Sequence, residues 1–494
     1  MSIRHLILLP IIFMALMIML ININKPFYGA HEDNSMLFSE AALAYAKYGF
    51  LKTRFAPILI PPANLNVSKL DSYYLNHPIL LPVSLTFIYK ILPFANWSTR
   101  LLPIIFTLLS IGGFFYLISH ISGYKTAVVS SIILILTPLF IYYGQMVCHE
   151  ALIFFFFIVL TSLYIKYQNN NSNGHLAVFG FLLFLMNMVD WPGYYFGFTL
   201  IITEFVRYKK ITRLTIIILL VTAVSALITL SHFYLIRGSL KFLLDVFITR
   251  TINTGTHYTI YEWFVRMVRN LDNGFSSFIV LLFLISLFFF TRRKNYLSYK
   301  EKIFLFISFL FPSFHLLIFR NNAYMHDYWL FYYTAGVAFS VAKFFLIIIN
   351  HYVKSFNTVR ENIRFVVITI FIISLVYFAR LGIRRYYKYT EINYYIGWEQ
   401  VSLLNQYAQK NNIEKFIIYS PDGAAFTFSY YLKYPHEYRD FNTPEIRSES
   451  KKGQNISRVL LAGTVAYAPA VKTLCNELKC TILLERKESF LGVL

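Results

Sequence analysis

The sequence predicts a polytopic α-helical membrane protein, about 11–13 transmembrane helices, with a small α/β domain at its C-terminal end. Three observations carry that prediction. Of 494 residues, 57% are hydrophobic, 19% aromatic and only 14% charged, where a soluble domain holds roughly 25% charged residues. Apolar runs near the length needed to cross a bilayer, about 20 residues, recur along the chain. Basic residues concentrate in alternate short loops. The same composition excludes disordered, collagen-like and disulfide-stapled classes. A net charge of +21, from 45 Lys and Arg against 24 Asp and Glu, would suit a nucleic-acid partner. In a membrane chain it is first read as orientation charge.

The first apolar run, 6–23, follows Arg4 and is longer than the apolar region of a cleaved signal peptide. Its best small-residue site, Tyr28-Gly29-Ala30, is poor, so a retained signal anchor is expected. Further runs cover 101–121, 126–147, 151–165, 176–189, 193–206, 214–236, 275–291, 303–319, 329–349 and 365–381. One more, 79–95, contains Lys90 and is interrupted by Pro82 and Pro93.

Charge decides how to count that run. If 79–95 does not cross, one set of short loops collects fifteen basic residues, among them Arg4, Lys125, Lys166, the 207–213 cluster and the 292–302 cluster. The opposite short loops hold only Arg320. Such asymmetry marks the cytoplasmic side. A full crossing by 79–95 would invert every later loop and contradict Arg4. The run is therefore expected to be an interfacial or re-entrant helix, with the N-terminus cytoplasmic and nucleic acid dismissed as a partner.

This topology leaves residues 25–100, 237–273 and 383–494 outside the cytoplasm. Residues 1–382 are expected to form the transmembrane domain, with 25–100 as its first extracytoplasmic loop, and 383–494 a separate extracytoplasmic domain. In the latter, helix-like 397–409, 424–432 and 469–478 alternate with β-rich runs at 415–420, 458–464 and 480–485. The intervening 444–457 is polar. Cys475 and Cys480, five residues apart, could bridge in an oxidising compartment. Sequons at Asn66, Asn96 and Asn455 fall on the same side.

Ionisable groups at span ends are costly to bury, so function is the default reading for them. Five clusters stand out on the expected outer face. Glu32 and Asp33 follow the first span, and adjacent carboxylates suit general-base work or metal binding. The bland reading is a turn in which Asp33 or Asn34 caps a helix. His77 precedes Pro78, and His149-Glu150 follows Cys148 at the mouth between two spans. Asp190-Trp191-Pro192 puts an acid where only the indole is expected. His326-Asp327-Tyr328-Trp329 opens a later span. His257 is the remaining outer-loop histidine outside these clusters apart from His31. No HExxH-like signature occurs, so any metal site must be assembled across loops.

These clusters, in this order, resemble the C-type (GT-C) membrane glycosyltransferases, most closely the branch of protein O-mannosyltransferases and lipid A aminoarabinose transferases. The likeness covers roughly residues 1–350: an acid pair in the first loop, a helix ending in Tyr48-Gly49, His77-Pro78, an arginine (Arg100) opening the next span, and a second acid, Glu150. It implies transfer of a sugar from a polyprenyl-phosphate donor to a protein, lipid or glycan acceptor outside the cytoplasm, with inversion. Glu32 or Asp33 would take the acceptor's proton, with Asp33 favoured by the Asp33-Asn34 pair. Glu150 and His149 would hold acceptor or metal. His77, Arg100, Asp190, Arg266, Arg269, Arg320, His326 and Asp327 would serve donor phosphate or sugar. A divalent metal ion is the one cofactor implied. The sequence departs from the family twice, with Glu-Asp where Asp-Glu is usual and Asn76 where aminoarabinose transferases carry an acid.

Two rival readings use the same groups: a transporter or flippase for lipid-linked anions, and a non-catalytic assembly subunit of the same fold. Charges deep inside spans, which a transporter needs, are scarce, with Glu204 near an inner end and His232 and His315 isolated.

Overall fold

A computed structural model describes residues 6–59, 73–170, 172–251, 258–352, 359–388, 392–420, 430–434, 436–440, 444, 446–447, 457–462, 468–486 and 489–494. Asn66, His257, Asn455 and most of 424–432 and 444–457 lie outside the described residues. Contacts divide the chain into two compact units. The first comprises Met1–Asn24, Arg54–Ala56 and Tyr74–Tyr386; the second comprises Lys25–Thr53, Pro57–Tyr73 and Tyr387–Leu494.

The first unit is an all-helical bundle of an integral membrane protein. Among the described residues, six helices are long and apolar enough to cross a membrane: Asn96–Ser122, His149–Gln168, Arg213–Arg237, Tyr299–Ile318, Asp327–Asn350 and Phe365–Tyr386. Shorter apolar helices are Leu8–Leu20, Leu80–Ile91, Tyr124–Ile135 and Asn173–Val189. Every apolar run read from the sequence falls on a helix. The run 126–147 is divided, because Pro138 holds Thr137 extended and starts a new short helix, Pro138–Tyr143. The contested run 79–95 yields a helix of only 12 residues, Leu80–Ile91. At a rise of about 1.5 Å per residue it falls well short of a bilayer core.

The bundle's surface explains the composition. Only 28% of the apolar window of Arg213–Arg237 and 22% of that of Phe365–Tyr386 is buried against protein. Leu219, Leu220, Leu227, Ile370 and Ile373 face outward, an arrangement that hydrocarbon tolerates and water does not. Ile260–Phe275 is amphipathic, with Tyr261, Phe264 and Val268 exposed and Met267 and Phe275 buried. It meets Ser277–Arg292 at 108°. The bend sits at Ser276, whose φ of 67° is left-handed, and its amide donates to the Asp272 carbonyl at 3.0 Å.

A lysine–glutamate ion pair is sunk into this unit. Lys343 Nζ donates to Glu301 Oε1 at 2.7 Å and to Ser122 Oγ at 3.2 Å. Glu301 also closes a capping box with Ser298 at the start of Tyr299–Ile318.

The second unit joins the helix Asp33–Tyr48 to an α/β layer. Five strands, β1 (Phe416–Ser420), β2 (His436–Asp440), β3 (Ser457–Ala462), β4 (Thr481–Arg486) and β5 (Ser489–Val493), form one sheet in the order β2-β1-β3-β5-β4. β1 runs parallel to β2 and β3, while β5 is antiparallel to β3 and β4. β1 is buried on both faces, and its alternation sorts the core. Phe416 and Ile418 pack with Val401, Leu404 and Ala408 of the helix Ile392–Asn411. Ile417 and Tyr419 pack with Val471 and Leu474 of Ala468–Glu477. Cys475 and Cys480 are free thiols.

Candidate functional site

At one end of the bundle, three predicted residues meet. His149 opens the helix His149–Asn170 and Asp190 closes Asn173–Val189, so two antiparallel helices bring their ends together. His77 arrives on the segment before Leu80–Ile91. His77 Nδ1–H donates to Asp190 Oδ1 at 2.6 Å, and His149 Nδ1 lies 3.8 Å from Asp190 Oδ2. The imidazoles stack with centroids 4.6 Å apart, and Tyr74 stacks on His77 at 5.8 Å. All three side chains are largely buried, His77 the least so at 15% exposure.

The Asp190 turn is built to hold this geometry. The Trp191 amide donates to Asp190 Oδ1 at 2.8 Å, and the Trp191 indole donates to the Asn76 carbonyl at 2.8 Å. That second bond fastens the His77 segment to the Asp190 turn. Gly193 follows because no side chain fits there: a Cβ would stand 2.9 Å from the backbone of Met186 and Asn187. Burial alone would raise the Asp190 pKa, but His77 and His149 and the His77 hydrogen bond overcome it. The net displacement is downward, and the carboxylate stays ionised.

A fourth participant was not among the sequence candidates. Arg250, on the helix Lys241–Thr251, hydrogen-bonds Tyr74, and its charge acts on Tyr74, His149, Tyr195 and His315. Burial raises the Tyr74 pKa, and Arg250 pulls against that rise.

The other candidates lie around rather than within this cluster. Glu150, next to His149, is buried and accepts a hydrogen bond from the Cys148 thiol. Asp327 accepts from the Tyr143 hydroxyl at 2.5 Å and the Tyr386 hydroxyl at 3.1 Å, tying three segments together. His326 contacts Tyr328 and Trp329, the latter packed on His315 at 4.1 Å. Arg266 Nε donates to the Tyr324 carbonyl at 3.2 Å. The Arg320 carbonyl accepts from the Trp263 indole at 2.9 Å. Arg269 is exposed, and Arg100 is fully buried near the start of Asn96–Ser122.

Glu32 and Asp33 belong to the second unit. Glu32 is buried, and its Oε2 accepts the Gly29 amide at 2.7 Å. His31 in the same turn has φ of 59°, a left-handed conformation costly for a side-chain-bearing residue. Asp33 opens the helix and is only partly buried. The two adjacent acids thus differ: Glu32 closes its own turn, while Asp33 presents a carboxylate at a helix start.

His77, His149 and Asp190 offer two imidazoles and a carboxylate, each with a ligand atom within 4.8 Å of the others. That donor set suits zinc or a similar divalent ion. The 2.6 Å contact of His77 with Asp190 is a hydrogen bond. Two ligands on a tetrahedral zinc stand about 3.3 Å apart, so a bound ion would take the place of the His77 proton and widen that contact.

The family described as dolichyl-phosphate-mannose-protein mannosyltransferase matches residues 76–236, which contain His77, His149, Glu150 and Asp190. By sequence, no curated protein matches the chain significantly. Among solved structures, ArnT from Cupriavidus metallidurans bound to undecaprenyl phosphate superposes with a TM-score of 0.69 at 12% identity, covering 98% of this chain and 97% of that one. Its apo state gives 0.66 at the same identity and coverage. The Archaeoglobus fulgidus oligosaccharyltransferase in complex with Zn and sulfate gives 0.53 at 10% identity, covering 95% of this chain and 69% of that one. The chain therefore has the fold of the C-type membrane glycosyltransferases, from the first helix through the C-terminal sheet.

Proposed function

We propose that the protein is a membrane glycosyltransferase that moves a sugar from a polyprenyl-phosphate donor to an acceptor on the non-cytoplasmic side, with inversion at the anomeric carbon. The observation that carries this reading is the fold shared over 98% of the chain with a protein solved with undecaprenyl phosphate. A largely buried group of His77, His149 and Asp190, with half-buried Arg250 acting on it, supports this reading.

In this reading Asp33 takes the acceptor hydroxyl's proton as that oxygen attacks the anomeric carbon. The bond from that carbon to the phosphate oxygen breaks, and its electron pair leaves with the lipid phosphate. The charge that grows there needs preorganised cations and donors. Arg250 supplies a permanent cation, and the Tyr74 hydroxyl that it hydrogen-bonds adds a donor. Asp190 fixes the His77 ring through Nδ1. A divalent ion held by His77, His149 and Asp190 would supply further positive charge when bound. In the same reading Glu150 and His149 would steady the acceptor or the metal.

The test is transfer of labelled sugar by purified protein in lipid nanodiscs, with Arg250→Ala and Asp33→Asn as variants. Loss of transfer in both folded variants supports the assignment. Unchanged transfer in either removes that residue from its role. The transporter reading predicts movement of the intact lipid across the bilayer without acceptor, and a flip assay separates the two.

A further inference from the structure

The second unit contains a pocket of about 560 Å³ that the transfer chemistry does not use. One wall is a face of the helix Ile392–Asn411, where Trp398, Ser402, Asn405 and Gln409 recur at helical spacing. The other wall is the segment carrying Tyr431, Lys433 and Tyr434. Leu404 and Ala408, on the opposite face of the same helix, are packed into the sheet core, and Val401 both joins that core and lines the pocket. The polar face is thus rigidly presented.

The two walls are fixed to each other by the protein itself. Asn405 Nδ2 donates to the Tyr431 carbonyl at 3.0 Å, and Asn405 Oδ1 accepts the Lys433 amide at 3.0 Å. The Tyr431 hydroxyl accepts the Phe27 amide at 2.7 Å. Trp398 packs against Tyr28 with centroids 6.0 Å apart. The pocket is therefore preformed, which lowers the ordering cost of binding. Its neighbour is the turn that leads into Glu32 and Asp33.

The lining chemistry selects the ligand. The carboxamides of Gln406 and Gln409, both exposed in the lining, and the Ser402 hydroxyl offer donors and acceptors side by side, matching hydroxyl pairs that each donate and accept. Trp and Tyr faces offer apolar, electron-rich surface to the C–H face of a pyranose ring. Among the described residues no carboxylate lines the pocket and Lys433 is the single cation, so neither a metal nor a phosphate is well served by them. The volume lies within the range of about 300–1,000 Å³ typical of small-ligand sites.

We propose that this pocket is a saccharide-binding site that takes a short stretch of a neutral oligosaccharide. That its saccharide is the acceptor of the transfer rests on the glycosyltransferase reading; the binding itself does not.

The test uses the full-length protein in nanodiscs, without donor, on an array of neutral and acidic glycans that also carries Ser/Thr-rich peptides. The best neutral glycan is then titrated in solution by calorimetry. A neutral glycan should bind, and the doubly exposed variant Gln406→Ala/Gln409→Ala should weaken it by about tenfold or more. Trp398→Ala should weaken it further, while Asp33→Asn should leave binding intact. That last variant separates failure of the pocket from failure of the catalytic reading. Binding by no neutral glycan, or binding untouched by the Gln406/Gln409 variant, overturns the proposal. So does binding confined to acidic glycans and lost in Lys433→Ala, or confined to peptides.

Discussion

Replacing Asp190 in two ways separates its structural duty from its charge. Both hydrogen bonds to this carboxylate, from His77 Nδ1–H at 2.6 Å and from the Trp191 amide at 2.8 Å, end on the same oxygen, Oδ1. Oδ2 instead faces His149 Nδ1 at 3.8 Å. Asp190→Asn can place its carbonyl oxygen at the Oδ1 position and keep both bonds. Asp190→Ala leaves two buried donors without an acceptor, at about 1–3 kcal/mol each, or about 2–6 kcal/mol in sum. Asn should cost no more than about 1 kcal/mol, yet it removes the charge and one oxygen ligand. Unfolding by SDS titration in mixed micelles measures the first quantity; zinc affinity by competition with a chromophoric chelator measures the second. The expected pattern is Ala far less stable than wild type and Asn near wild type, with both losing zinc affinity by at least about tenfold. Equal destabilisation by Asn and Ala, or zinc affinity unchanged in Asn, would refute the division of labour between the two oxygens.

Gly193→Ala should disturb the same turn, because its Cβ would press on the Met186 and Asn187 backbone. A loss of about 1–3 kcal/mol in the same titration is expected, and a neutral result would show that the turn can relax. Lys343→Ala leaves buried Glu301 without its partner at 2.7 Å. Since Lys343 is 19% exposed, the cost should fall toward the lower end of the about 3–5 kcal/mol seen for buried pairs. The double variant Glu301→Gln/Lys343→Met should recover most of it, and strictly additive losses would argue against coupling. At the acid pair, Asp33→Asn should lower the transfer rate by at least about 100-fold. Glu32→Gln, which can still accept the Gly29 amide, should retain most activity; the reverse ranking in a radiolabel transfer assay would move the base to Glu32.

Much of the bundle was legible because a bilayer imposes length and apolarity on each element. Loop charge, read against Arg4, singled out 79–95; the helix there has 12 residues, the same length as Tyr124–Ile135 in a run read as a span, so length alone does not set it apart. The C-terminal β1, β3 and β4 were visible as apolar runs. β2, His436–Asp440, was missed because its sequence HEYRD has no apolar run, and β5 because it lies at the end of the chain beyond a charged stretch. The clustering of His77, His149 and Asp190 was not legible, since separations of 72 and 41 residues are closed only by helix packing. The two tyrosine hydroxyls that Asp327 accepts, from Tyr143 and Tyr386, were not legible either, since they come from segments 184 and 59 residues away. Arg250 was invisible because nothing in KFLLDVFITRT distinguishes a site arginine from a surface one.

The central claim is sugar transfer from a prenyl-phosphate donor, and one measurement addresses it directly. Wild-type and Asp33→Asn proteins in nanodiscs would be supplied with the labelled prenyl-phosphate sugars and acceptor extract of a strain lacking the protein. Released polyprenyl phosphate and the anomeric configuration of the product would then be read together. The account predicts release of the lipid phosphate in step with an inverted glycosidic product, both lost in Asp33→Asn. Intact donor recovered from both proteins alike, or a product of retained configuration, would contradict it.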